Sequence, residues 1–148
     1  MEKLVFLLVV IFGFSFFNAQ NIKKDLKNSS ELFTGKIDNS ASLKVLFEFV
    51  SSENSKSGIY KVSGYSDVEG TKANFEGTIT FNPEKSKNSE GRAKIYDLKL
   101  SEKGAGKHNG IFTGELTAKK SSDKNQLKFV GTWTNYDNTL KFPFYFTN

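Results

Sequence analysis

The chain has a single histidine, and it is the natural place to look for acid–base or metal chemistry. His108 stands in the stretch Lys103-Gly104-Ala105-Gly106-Lys107-His108-Asn109-Gly110. A general base or metal ligand needs an imidazole held in place, with a carboxylate or a second ligand beside it. This stretch is flexible and cationic, and its nearest acid in sequence is Glu102. The Gly-Ala-Gly segment is not a phosphate loop, because it lacks the GxxxxGK[ST] spacing and does not open a helix. The carboxylates that lie close in sequence, Glu48 with Glu53, Asp67 with Glu69 and Glu84 with Glu90, fall on outward strand positions or in turns. Asp67-Val68-Glu69-Gly70 offers oxygens to calcium but lacks the ligand count of a known loop, so turn chemistry is the better account. No serine occupies a Gly-x-Ser-x-Gly elbow. These observations predict no catalytic residue, no metal site and no cofactor, and the chain reads as a non-enzyme.

Residues that do no bond chemistry can still bind, and here they are aromatic. Phe33-Thr34-Gly35-Lys36-Ile37, Phe75-Glu76-Gly77-Thr78-Ile79, Phe112-Thr113-Gly114-Glu115-Leu116 and Phe129-Val130-Gly131-Thr132-Trp133 repeat one pattern, a large residue, a glycine and a large residue at every second position. Alternate residues of a strand share a face, so each copy has a bulky face with a gap at its centre. Such a gap lets a strand bend or a neighbour lie across it, which closing a small sheet requires. Period-two alternation predicts eight strands, roughly 32–38, 43–50, 58–65, 71–81, 92–100, 109–119, 126–135 and 139–146, joined by short polar breaks that favour antiparallel neighbours. In the second strand Val45, Phe47 and Phe49 are assigned inward, opposite Lys44 and Glu48; in the eighth, Leu140, Phe142, Phe144 and Phe146 are inward. One apolar face per strand, and eight similar strands in series, predict an all-β fold, a single antiparallel up-and-down barrel, over a two-sheet sandwich. Pro143 fits at a bulge or at the seam where the barrel closes.

The rest of the composition sets the context. Lys3, an apolar run from Leu4 to Phe17 and then Asn18-Ala19-Gln20 have the form of a secretory signal peptide, with cleavage expected after Ala19. The run is short of the ~20 residues a spanning helix needs, so no stable membrane insertion is expected after cleavage. The predicted organisation is therefore a signal peptide over 1–19, a polar leader or short helix over 20–31, where Ile22 and Leu26 stand four apart, and a barrel domain over 32–148. The net charge is +5 with or without the signal, because Glu2 and Lys3 cancel. Arg92 is the only arginine and the lysines are scattered, which argues against a nucleic-acid partner. The absence of cysteine excludes a disulfide framework, thiolate chemistry and a lipid anchor attached through that residue.

Phe33-x-Gly35-x-Ile37, Val62-x-Gly64-Tyr65, Tyr96-x-Leu98-x-Leu100-x-Glu102, Gly110-x-Phe112-x-Gly114, Phe129-x-Gly131-x-Trp133 and Phe142-Pro143-Phe144 together resemble a group of small exported bacterial β-barrel domains of unknown function. That group has Gly-x-Phe-x-Gly and Gly-x-Trp strands in a lipocalin-like or avidin-like architecture. The likeness covers nearly all of the chain after the signal, and its motifs are structural, so it implies a fold and transfers no functional residue. The chain departs from avidins in having one tryptophan, and from lipocalins in carrying Gly-x-Trp on the seventh strand instead of the first. The Asn18-Ala19-Gln20 junction resembles export signals of the Bacteroidetes, which implies a Gram-negative periplasm or the exterior.

Two functions follow as expectations. The first is a non-enzymatic envelope or secreted binding protein that meets a protein partner, in the manner of an inhibitor or immunity protein, through loops on a rigid scaffold. Its candidate contacts are the loops Ser51 to Ser57 and Ser101 to His108, with Lys103, Lys107 and His108 as partner-binding residues. The second is lipocalin-like binding of a small apolar ligand inside the barrel, with Phe47, Phe112, Phe129 and Trp133 lining the site. The same aromatic residues are equally the natural core.

Overall fold

The structure is a computed structural model that describes residues 22–27, 32–54 and 57–148. The segment read as a signal peptide, half of the flanking leader (residues 20, 21 and 28–31), and Ser55 and Lys56 lie outside the described residues. The alternating pattern forms eight strands, β1 (Phe33–Ile37), β2 (Ala41–Ser52), β3 (Ile59–Val68), β4 (Thr71–Phe81), β5 (Lys94–Glu102), β6 (Gly110–Lys119), β7 (Gln126–Asn135) and β8 (Lys141–Thr147). A helix α1 (Ile22–Lys27) precedes them and a second, α2 (Pro83–Asn88), joins β4 to β5. Every strand pairs antiparallel with the next, and β8 pairs back onto β1, so the sheet closes into an up-and-down barrel as expected.

Because the strands alternate in direction, their connections collect at two ends. Residues 38–40, 69–70, 103–109 and 136–140 gather at one end, the mouth; residues 53–54, 57–58, 82–93 and 120–125 gather at the other, the base. The mouth turns are tight: Asp38 and Asn39 both take positive φ in the three-residue β1–β2 turn, and Glu69 and Gly70 do so in the β3–β4 turn, the latter the backbone of a two-residue hairpin whose twist matches its strands. Asp67 supports the second of these by accepting the Gly70 N–H at 2.7 Å. At the base, α1 turns Ile22 and Leu26, one helical turn apart, into the barrel with no exposed surface. The Asp25 carboxylate accepts a bond from Asn125 Nδ2 at 2.9 Å, and the Asn148 side chain ties Leu127 N–H and the Asn125 carbonyl at 2.9 and 2.8 Å. The base is stoppered by apolar contact and pinned by these bonds.

Between the two ends the barrel is filled. Phe33 meets Phe47 and Phe129 edge to face at 5.5 and 5.4 Å, Phe129 stacks on Phe146 at 4.4 Å, and Phe112 meets Phe144 at 5.0 Å. The glycines of the repeated pattern allow this by bringing backbones together. Gly114 and Gly131 face each other across β6 and β7, and a Cβ on either would stand 2.1 Å from a carbonyl oxygen of the other strand. Pro143 lies at the closure seam, where its carbonyl accepts the Asp38 N–H at 2.9 Å just beyond the last β1–β8 pair.

The structure corrects the assignment of Phe49. A bulge between Phe47 and Phe49 places an extra residue in β2 against β3, and such an insertion reverses the faces that follow. Val50 is therefore the inward residue, and Phe49 is 54% exposed. The break between the fourth and fifth strands also holds more order than its polarity suggests. Asn82 caps α2 by accepting the Lys85 N–H at 3.0 Å, with Pro83 opening the helix.

Candidate functional site

Several strands run further toward the mouth than their apolar residues alone indicate, and this builds the site. On β3 the inward series Val62, Gly64 continues to Ser66; on β5 the series Tyr96, Leu98, Leu100 continues to Glu102; on β7 Phe129 and Gly131 lead to Trp133. Three polar or amphipathic side chains from alternate strands thus converge above the phenylalanine core. The Glu102 carboxylate is 5% exposed. Its Oε1 accepts a bond from the Ser66 hydroxyl at 2.5 Å, and its Oε2 accepts the Gly110 N–H at 2.9 Å and the Trp133 Nε1–H at 3.0 Å. Burial pushes this carboxyl above the ordinary range, and the three donors pull it part of the way back.

Above this floor lies a cavity of 530 Å³, walled by Ile37, Ala41, Val68, Trp133 and Phe142, with Ser66 and Glu102 among its polar lining and His108 at its edge. The Trp133 indole stacks nearly parallel on Phe142, with centroids 6.0 Å apart. The rim is braced by Tyr136, whose hydroxyl donates to the Glu102 main-chain carbonyl, and by Asn135, whose Nδ2 donates to Thr139 Oγ1 at 3.0 Å and to the Lys107 carbonyl at 3.4 Å. Such a volume lies within the range of small-molecule sites, and its makeup of apolar walls around a few placed polar groups is typical of them. Among the described residues no group of three or more histidines, cysteines or acids is placed to hold a metal ion.

Of the residues singled out in the sequence, Trp133 lines this cavity. Phe47, Phe112 and Phe129 are buried in the packed middle of the barrel. His108 stands exposed at the mouth, Lys107 is exposed on the same loop, and Lys103 pairs with Glu76 on the outer wall at 2.6 Å. The two candidate contact loops sit at opposite ends: the β5–β6 loop at the mouth, the β2–β3 loop at the base. Glu102 and Ser66 are the site residues that sequence reasoning missed. Their signal was present, since both continue the inward parity of their strands, but a polar residue after an apolar run reads as the end of the strand.

A closed eight-stranded antiparallel barrel, stoppered at one end and open to a walled cavity at the other, is consistent with lipocalin-like architecture. Compared with family models, curated proteins and solved structures, the chain finds no match.

Proposed function

We propose that this is a non-enzymatic, exported binding protein that holds a small molecule in the mouth of its barrel. One observation carries the reading: a 530 Å³ cavity lies at the mouth, in a barrel whose middle is filled by aromatic rings and whose base is packed by α1. Supporting it, the Ser66 hydroxyl donates its hydrogen bond directly to a carboxylate with no imidazole between them, which is poor preparation for a serine nucleophile. The outer wall carries Lys44, Lys61, Glu76, Lys99 and Lys128, all exposed, the surface of a barrel facing water and not lipid. Among the described residues no helix is long and apolar enough to cross a membrane.

Trp133 makes the reading directly testable, because it is the only tryptophan in the chain and lies in the cavity wall. Native mass spectrometry on protein taken from its own host should release a small mass, and stripping that mass should shift the tryptophan emission. A bare barrel whose emission is unchanged by extraction would sink the proposal. A barrel carrying a second polypeptide would move the function to the rim, where Lys107 and His108 are exposed on one loop.

A further inference from the structure

We propose that the mouth selects ligands bearing a cationic nitrogen, a primary amine or guanidinium on an apolar body, and that the Glu102 carboxylate receives it; this rests on the reading of the mouth as a ligand cavity. A carboxylate has about four places at which to accept a hydrogen bond. The protein supplies three donors to Glu102, two on Oε2 and one on Oε1, so Oε1 retains a place. None of those donors is charged. The five ion pairs of the described residues, Lys61–Glu53, Lys85–Asp97, Lys85–Glu115, Arg92–Glu90 and Lys103–Glu76, all leave Glu102 out.

A buried carboxylate without a counter-charge is costly, and neutral donors offset only part of that cost. A cation entering the mouth would supply the missing term. The other charged groups on the cavity do not take that role: Lys72 holds its ammonium 4.5 Å from the centre of the Tyr65 ring, Asp38 is exposed in the β1–β2 turn, and His108 is exposed at the edge. The Trp133–Phe142 pair and the side chains of Val68 and Ile37 provide the surface for an apolar body. The cationic head and apolar body thus each have a counterpart within one cavity.

The test uses three probes that share a body and differ in head group: 1-naphthylmethylamine, 1-naphthylmethanol and 1-naphthoate, titrated calorimetrically into the full folded protein near neutral pH. The amine is expected to bind at least about tenfold more tightly than the alcohol or the acid, as a charge-assisted bond to a buried carboxylate should give. Glu102→Gln should remove that preference and leave the alcohol within about threefold of its original affinity. Equal binding of all three, or preference for the acid, would overturn the cation assignment while leaving the cavity reading intact. Failure of all three to bind would overturn the cation assignment too, and the cavity reading would then stand or fall on the mass released from host-derived protein. If Glu102→Gln does not fold, the ranking on the unaltered protein still decides.

Discussion

Glu102 is the residue on which the mouth turns, and its environment makes a signed prediction. Its carboxyl is held above the ordinary range in the native state, chiefly by burial. For an acid shifted upward, the stability it contributes is complete below the unfolded-state value and is lost as pH rises through the native value. Glutamine at this position can keep every partner, with its carbonyl oxygen toward Gly110 and Trp133 and its amide donating to the Ser66 hydroxyl, and it does not titrate. The melting temperature of Glu102→Gln relative to the unaltered protein should therefore rise with pH above the ordinary carboxylate range and level off beyond the native value. A difference that stays flat across an acid-to-alkaline series of melts would contradict the burial argument. Trp133→Phe removes one of two donors to Oε2, and its loss should cost about 1.5–3 kcal/mol by chemical denaturation. Trp133 was legible as a candidate from its type and its place in a repeated pattern. Glu102 was not, because charge ordinarily signals the end of a strand; only the parity of Tyr96, Leu98 and Leu100 marks it as inward.

The strands are held together where glycine replaces a side chain. Valine at Gly114 or Gly131 would drive a Cβ into the backbone of the paired strand, and each should cost ~3 kcal/mol or more. For a domain of this size that corresponds to a melting temperature lower by about 10 °C. Gly70→Ala is the informative control, because nothing lies within 4 Å of its added Cβ and only its positive φ opposes the change; about 1–2 kcal/mol is expected there. Equal losses at all three positions would refute close strand approach as the role of the paired glycines. All eight strands and their antiparallel order could be read beforehand, since each carries a single apolar face. The bulge in β2 could not, because register belongs to a pair of strands and the extra residue is defined only against Ser63 and Gly64 of β3. The α2 helix had a readable signal in Asn82-Pro83-Glu84, an N-cap followed by proline and an acid, which the polarity of the surrounding break obscured.

At the scale of the whole molecule the packed base and the open mouth can be tested apart. Leu26→Ala removes a fully buried side chain of the base stopper and should cost about 2–5 kcal/mol, while probe affinity at the mouth stays unchanged; a parallel loss of affinity would show that the ends are coupled. Phe129→Ala, in the filled middle, should lower stability by about 3–5 kcal/mol, and the affinity of the naphthyl amine should again be unaffected. The seam between β1 and β8 has a consequence for how the molecule is made. The strand that closes the barrel is the last one synthesised, and its partner is the first, so every intermediate lacking Lys141–Thr147 has bare edges on both β1 and β7. Bare edges are templates for pairing with other chains. A nascent or truncated chain ending before β8 should thus aggregate instead of persisting as a loosened monomer, which makes solubility an all-or-none property conferred by the final strand.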